Sequence, residues 1–107
     1  MSMDVSGFRA SLAEAAPPAG ISLALAGLWW DGRGDWARAH RCVQDLGAQD
    51  NDAAVGAAVH AYLHRKEGDL ANAGHWYAKA GRTMPAGTLA AEWDDLVALL
   101  LYQPSKS

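Results

Sequence analysis

Apolar residues recur at intervals of three and four along most of the chain, which is the spacing of an amphipathic α-helix. In residues 4–16 the spacing is carried by Phe8 and Leu12, and Pro17-Pro18 then removes two backbone donors and must end that helix. Alanine is abundant whereas valine, isoleucine and threonine are scarce, which also favours helices over strands. The pattern predicts further helices over residues 20–31, 36–46, 53–66, 70–80 and 88–101, with 103–107 as a frayed tail. We therefore expect an all-α fold.

Glycine followed by aspartate marks the bend between two of these helix pairs. Gly34 permits a backbone conformation that ends a helix, and Asp35 is suited to cap the helix that follows. Gly68 and Asp69 form the same pair 34 residues later. Two helical hairpins with equivalent bends are therefore expected, each consisting of a first helix, a Gly-Asp bend and a second helix.

An internal duplication appears when residues 20–47 are aligned with residues 54–81. The segment GDWARA in the first copy corresponds to GDLANA in the second, and these are the positions where a bend restricts residue choice most. Six positions are identical at the constant offset: Ala24, Gly34, Asp35, Ala37, Ala39 and Gly47 recur as Ala58, Gly68, Asp69, Ala71, Ala73 and Gly81.

A helix–turn–helix unit with a period of 34 residues resembles the tetratricopeptide repeat family. The alanine that this family places in the second helix corresponds to Ala39 and Ala73, and the proline that closes a repeat corresponds to Pro85. The family's tryptophan in the first helix is replaced by Leu23 and Ala57, so the repeats are degenerate. The resemblance implies an α-α superhelix in one domain spanning residues 1–107. Its parts are an N-terminal helix (4–16), repeat one (20–53), repeat two (54–87), a capping helix (88–102) and the tail (103–107).

Tetratricopeptide arrays bind extended peptides on a concave face formed by their first helices, and the resemblance implies the same for this chain. Adjacent helical residues diverge by about 100°, so one member of each aromatic pair must point away from its neighbour. We expect Trp29 and Trp76 to be the partly exposed members. The predicted surface for a peptide or protein partner consists of Leu28, Trp29, Asp31, Tyr62, Arg65, Lys66 and Trp76.

The last helix carries more apolar residues than one packed face requires. Leu96, Val97, Leu99, Leu100 and Leu101 surround its axis. A second apolar face is therefore expected, covered either by the N-terminal helix or by another subunit. If another subunit covers this face, the chain forms a homodimer through its last helix.

His60 and His64 lie four residues apart on one helix, which is the spacing of zinc-binding helices. The glutamate of a catalytic HExxH motif is replaced by Ala61, and a metal ion would need a third ligand from His40, Cys42 or His75. We expect these histidines to pack between helices, with no metal, no cofactor and no catalytic residue. The alternative is a metal-dependent or small-molecule enzyme that uses the histidines and tryptophans around a pocket.

Charge and composition narrow the classes of partner. A net charge of −3 argues against a nucleic-acid-binding protein, which usually needs a basic face. The longest apolar stretch, residues 21–30, is too short to cross a bilayer, so no membrane partner is expected. The single cysteine, Cys42, fits a cytoplasmic location.

Overall fold

The computed structural model describes residues 3–44, 46 and 53–102, and every regular element in these residues is a helix. The predicted all-α fold is confirmed for this part of the chain, whereas the predicted polar link 49–52 and the tail 103–107 lie outside the described residues. The helices are α1 (Val5–Ala10), α2 (Leu23–Gly32), α3 (Trp36–Gln44), α4 (Ala53–Glu67), α5 (Leu70–Lys79) and α6 (Leu89–Leu101).

The first two helices are shorter than the sequence predicted, and local capping explains both differences. A 3₁₀ turn over Ser11–Ala13 follows α1, because the Ser11 hydroxyl donates to the carbonyl oxygen of Phe8 at 2.6 Å and competes with continued helix. The second helix was predicted to begin near residue 20 and begins instead at Leu23. Gly20 has a φ of 80°, which a right-handed helix excludes, and Ser22 caps the helix by accepting from the amide of Leu25.

The two Gly-Asp bends have the same backbone hydrogen bonds. The amide of Asp35 donates to the carbonyl of Trp30 at 2.9 Å, and the amide of Asp69 donates to the carbonyl of His64 at 2.9 Å. Each aspartate side chain also accepts from the amide three residues later, at 3.0 Å in the first bend and 3.2 Å in the second. Both aspartates therefore cap the second helix of a hairpin, as the sequence predicted.

Two antiparallel hairpins, α2–α3 and α4–α5, pack side by side, with α4 against both helices of the first hairpin. Helix α4 is central, since each residue from Ala58 to His64 is buried. Helix α6 packs across α4 and α2, and α1 packs against α6. The N-terminal helix thus covers one part of the surplus apolar surface of α6, where the rings of Phe8 and Trp93 are in contact. Among the described residues, no helix combines the length and apolar character that crossing a bilayer requires.

The bends generate a stability prediction, because Gly34 and Gly68 have φ values of 85° and 93°. We expect Gly68→Ala to lower the free energy of unfolding by about 1–2 kcal/mol, since a Cβ disfavours this backbone conformation. Gly74→Ala is the matched control, because Gly74 lies within α5 and an added Cβ would meet no atom within 4 Å. This control should stabilise the protein by up to about 1 kcal/mol. Urea unfolding measures both changes, and equal effects of the two substitutions would contradict the bend geometry.

Candidate functional site

The two tryptophans of α2 are arranged in the opposite way to the prediction. Trp29 has no exposed surface, whereas Trp30 is half-buried. The segment after α1 covers Trp29, whose indole Nε1 donates to the Ser11 hydroxyl at 3.1 Å. The predicted exposure of Trp29 is therefore wrong, because the N-terminal segment packs on this side of α2. Leu28 is also fully buried, so neither residue offers surface to a partner in this conformation.

Two of the three charged members of the predicted binding surface, Asp31 and Lys66, are paired with each other. Asp31 is 3% exposed and accepts from the Tyr62 hydroxyl at 2.6 Å and from Lys66 Nζ at 2.8 Å. Burial, and then the hydrogen bond to Asp31, raise the pKa of Tyr62 far above its usual value. The structure therefore brings these three predicted residues together as an internal hydrogen-bonded group.

A second buried carboxylate explains the position of α6. Glu92 is 4% exposed and accepts from Arg65 Nη1 at 2.7 Å and from the Tyr77 hydroxyl at 2.5 Å. Arg65 also donates to the carbonyl of Gly87. Because α6 lies across the first helices of both hairpins, its glutamate takes up the cationic side chain that was predicted to hold a partner's acidic group. Helix α6 therefore covers the part of this face that contains Arg65, and a cavity of about 390 Å³ remains beside it.

On the opposite side of α4, three imidazole rings meet between the hairpins. The histidine cluster consists of His40 from α3 and His60 and His64 from α4. One ring nitrogen from each lies within 4.8 Å of one from each of the others, and the Nε2 atoms of His40 and His60 are 2.9 Å apart. The fourth histidine, His75, is exposed and lies outside the cluster, with the edge of its ring against Trp76.

Tryptophans hold two of the imidazole rings in place. The Trp36 ring stacks on His40 with an interplanar angle of 8°, and its Nε1 donates to the carbonyl of Leu63 at 2.8 Å. The Trp76 ring stacks on His60 at a centroid distance of 3.9 Å and an angle of 16°. Stacking limits ring rotation, so the ring nitrogens keep a defined direction.

The surroundings of His40 and His60 favour the neutral form of both imidazoles. Burial, together with the positive charge that His40 and His64 would carry, lowers the pKa of His60 from 6.5 to about 4. Burial also lowers the pKa of His40. In the unfolded chain His60 binds a proton near pH 6.5, so the unfolded state holds more protons than the folded state between pH 6.5 and 4. The contribution of His60 to stability is therefore complete above pH 6.5 and decreases as the pH falls toward 4.

The third histidine has a carboxylate partner on its far side. His64 Nδ1 lies 2.7 Å from Glu67 Oε2, one turn along α4, and His64 Nε2 lies 3.5 Å from the Asn72 side-chain nitrogen. A carboxylate on one ring nitrogen orients an imidazole and leaves the other nitrogen for a ligand. Three imidazoles, one of them oriented in this way, have the donor chemistry of a transition-metal site.

A groove runs beside the histidine cluster along α3, α4 and α5. The Trp76 groove has a volume of about 480 Å³, with His60 and Trp76 at its inner wall and Lys79 at its edge. Lys79 Nζ lies 4.9 Å from the centre of the Trp76 ring, and among the described residues Lys79 forms no ion pair. Apart from Gln44, the remaining lining residues carry no polar side-chain atom: Val43, Leu46, Ala53, Ala54, Gly56 and Ala57.

Trp76 is half-buried, as predicted, and is the one predicted binding residue that lines this groove. The sequence did not indicate Lys79, although a lysine three residues after an exposed tryptophan on a helix could have done so. His40 was considered only as one of several third ligands, because its distance from α4 depends on how the hairpins pack. No protein-family model, curated protein or solved structure matches the chain.

Proposed function

We propose that the chain is a tetratricopeptide-like interaction module that binds a segment of a partner protein in the Trp76 groove. The observation that carries the proposal is the groove itself, which is lined by Trp76, by apolar side chains and by Lys79, a cation that forms no ion pair within the described part of the chain. Half-buried tryptophan beside an apolar concavity is the type of surface that dominates binding energy in protein interfaces. A cytoplasmic location belongs to the same proposal.

The proposed repeat architecture rests on the bends and on helix packing. Gly34 and Gly68 occupy equivalent positions at an offset of 34 residues, and the hydrogen bonds around them are the same. The second helix of one hairpin packs on the first helix of the next, an arrangement that lets successive units stack. These features support two degenerate repeats in register, followed by a capping helix.

The Trp76 groove is preferred over the first-helix face because of charge. On the first-helix face Lys66 and Arg65 are each paired with a buried carboxylate, so a partner would have to separate an existing ion pair. A partner carboxylate near Lys79 gains an ion pair without that cost. The proposed partner segment therefore places an apolar side chain against Trp76 and an acidic group beside Lys79.

Selection from a random peptide library displayed on phage, with the full chain as the target, tests this proposal. Enriched peptides should combine an apolar residue with an acidic one, and Trp76→Ala should weaken a selected peptide by about 10-fold or more, since buried tryptophans contribute about 2 kcal/mol or more. Lys79→Glu should weaken binding further through charge repulsion. Fluorescence anisotropy of a labelled peptide measures each affinity, with helix content checked by circular dichroism.

Trp30→Ala is the matched control for the groove variant. Trp30 is also half-buried and also lies beside a cation, since the Arg38 guanidinium is 4.3 Å from its ring centre, but it does not line the Trp76 groove. Peptide affinity should be unchanged in this variant. Failure to enrich any peptide, or equal losses in the Trp76 and Trp30 variants, would overturn the proposal.

Self-association through α6 is a second candidate, favoured by the apolar surface that α1 leaves uncovered. Leu99 is 41% exposed and Tyr102, directly after the helix, is 64% exposed. A two-fold interface would use the same patch on both copies and bury both residues. Sedimentation equilibrium across the micromolar range should show a monomer–dimer equilibrium that Leu99→Lys shifts toward monomer. A wild-type chain that stays monomeric throughout this range would exclude the interface.

A further inference from the structure

We propose that His40, His60 and His64 form a binding site for a divalent transition-metal ion, and that Zn²⁺ is the ion the donor set fits best. The site goes beyond peptide binding in the Trp76 groove and does not depend on it. Two ligands come from one face of α4 and the third from α3, so the ion would connect the two hairpins.

The three imidazole rings of the histidine cluster converge on one point. His60 and His64 are one turn apart, with ring centroids 4.9 Å from each other, and the His40 ring lies 4.6 Å from His60 and 5.2 Å from His64. Three ring nitrogens within 4.8 Å can all reach one central ion. Since α3 belongs to the other hairpin, the tertiary packing alone brings the third ring to this position.

The distance between the ring nitrogens is close to the spacing of ligand atoms around a zinc ion. A tetrahedral zinc site with Zn–N bonds of about 2.0–2.1 Å separates its ligand nitrogens by about 3.3 Å. The Nε2 atoms of His40 and His60 are 2.9 Å apart, which is a hydrogen bond in which one ring carries the proton. Zn²⁺ would bind both Nε2 atoms after the donor ring has moved its proton from Nε2 to Nδ1, and it would move the two Nε2 atoms apart by about a few tenths of an ångström. His40 is only half-buried, so its ring has room to make this adjustment.

Neighbouring side chains orient the three rings. Glu67 accepts the Nδ1 proton of His64, which leaves the lone pair on Nε2 for a ligand. Trp36 and Trp76 stack on the remaining rings and restrict their rotation. Preorganised ligands of this kind lose little conformational entropy when an ion binds.

The donor set also selects among ions. Mg²⁺ and Ca²⁺ prefer oxygen ligands, whereas imidazole nitrogen suits zinc and the neighbouring transition metals. Three histidines leave one position of a tetrahedral ion for water. The half-exposed His40 and the adjacent Trp76 groove provide access from solvent.

Isothermal titration calorimetry of Zn²⁺ into the chelator-treated full chain tests the proposal, with Mg²⁺ as the negative control. We expect one Zn²⁺ per chain, and His40→Ala and His60→Ala should each weaken binding by at least about 100-fold, more than the usual cost of an outer-shell partner. Glu67→Gln should weaken binding by about 10-fold. Because Zn²⁺ links two hairpins, it should also raise the melting temperature of the wild type and not that of His60→Ala.

His75→Ala is the matched control, since His75 is the histidine that does not join the cluster. Its zinc affinity should equal that of the wild type. Co²⁺ supplies an independent readout, because a tetrahedral nitrogen site gives an intense visible absorption that His40→Ala should abolish. Absence of stoichiometric Zn²⁺ binding, or equal affinity in the His40→Ala and His75→Ala variants, would overturn the site and leave a hydrogen-bonded cluster that binds no ion.

Discussion

The burial of the polar side chains of α4 is the constraint on which the rest of the structure depends. This helix is enclosed by α2, α3, α5 and α6, and a polar group removed from water costs free energy unless it finds a partner. Among the described residues, every buried side-chain nitrogen and oxygen has one. The partners come from different helices: His40 for His60, Asp31 for Tyr62 and Lys66, and Glu92 for Arg65. The hydrogen bonds that pair the polar side chains of α4 therefore also fix the positions of α2, α3 and α6.

The two sides of α4 are satisfied by different chemistry, which separates structural groups from groups that can bind a ligand. On the α2 and α6 side, opposite charges neutralise one another, and removing Lys66 or Arg65 would leave a buried carboxylate without its cation. On the α3 and α5 side, the imidazoles of His40 and His60 share a hydrogen bond whose place a metal ion can take, next to the Trp76 groove. The two proposals, partner binding and metal binding, lie on this second side for that reason.

Local signals allowed the sequence to predict the helices and the bends, and distant packing determined what it could not predict. The Gly-Asp pairs at 34–35 and 68–69 act through their own backbone and caps, so the sequence indicates them directly. Whether Trp29 or Trp30 is buried depends on the N-terminal segment, eighteen residues away at Ser11. The approach of His40 to His60 and the pairing of Arg65 with Glu92 likewise require the packing of separate helices. Periodicity contains no information about those contacts.

The most direct test of this account is an NMR titration of the histidine side chains in the metal-free protein. His60 lies between the hairpins, against Trp76 and beside two other imidazoles, and burial there should lower the pKa of its ring to about 4. The ring should stay neutral from pH 8 down to about pH 5, well below the ordinary histidine value of about 6.5. Titration of His60 near pH 6.5 would place the ring in water and contradict the packing of α4 on which the groove and the histidine cluster depend.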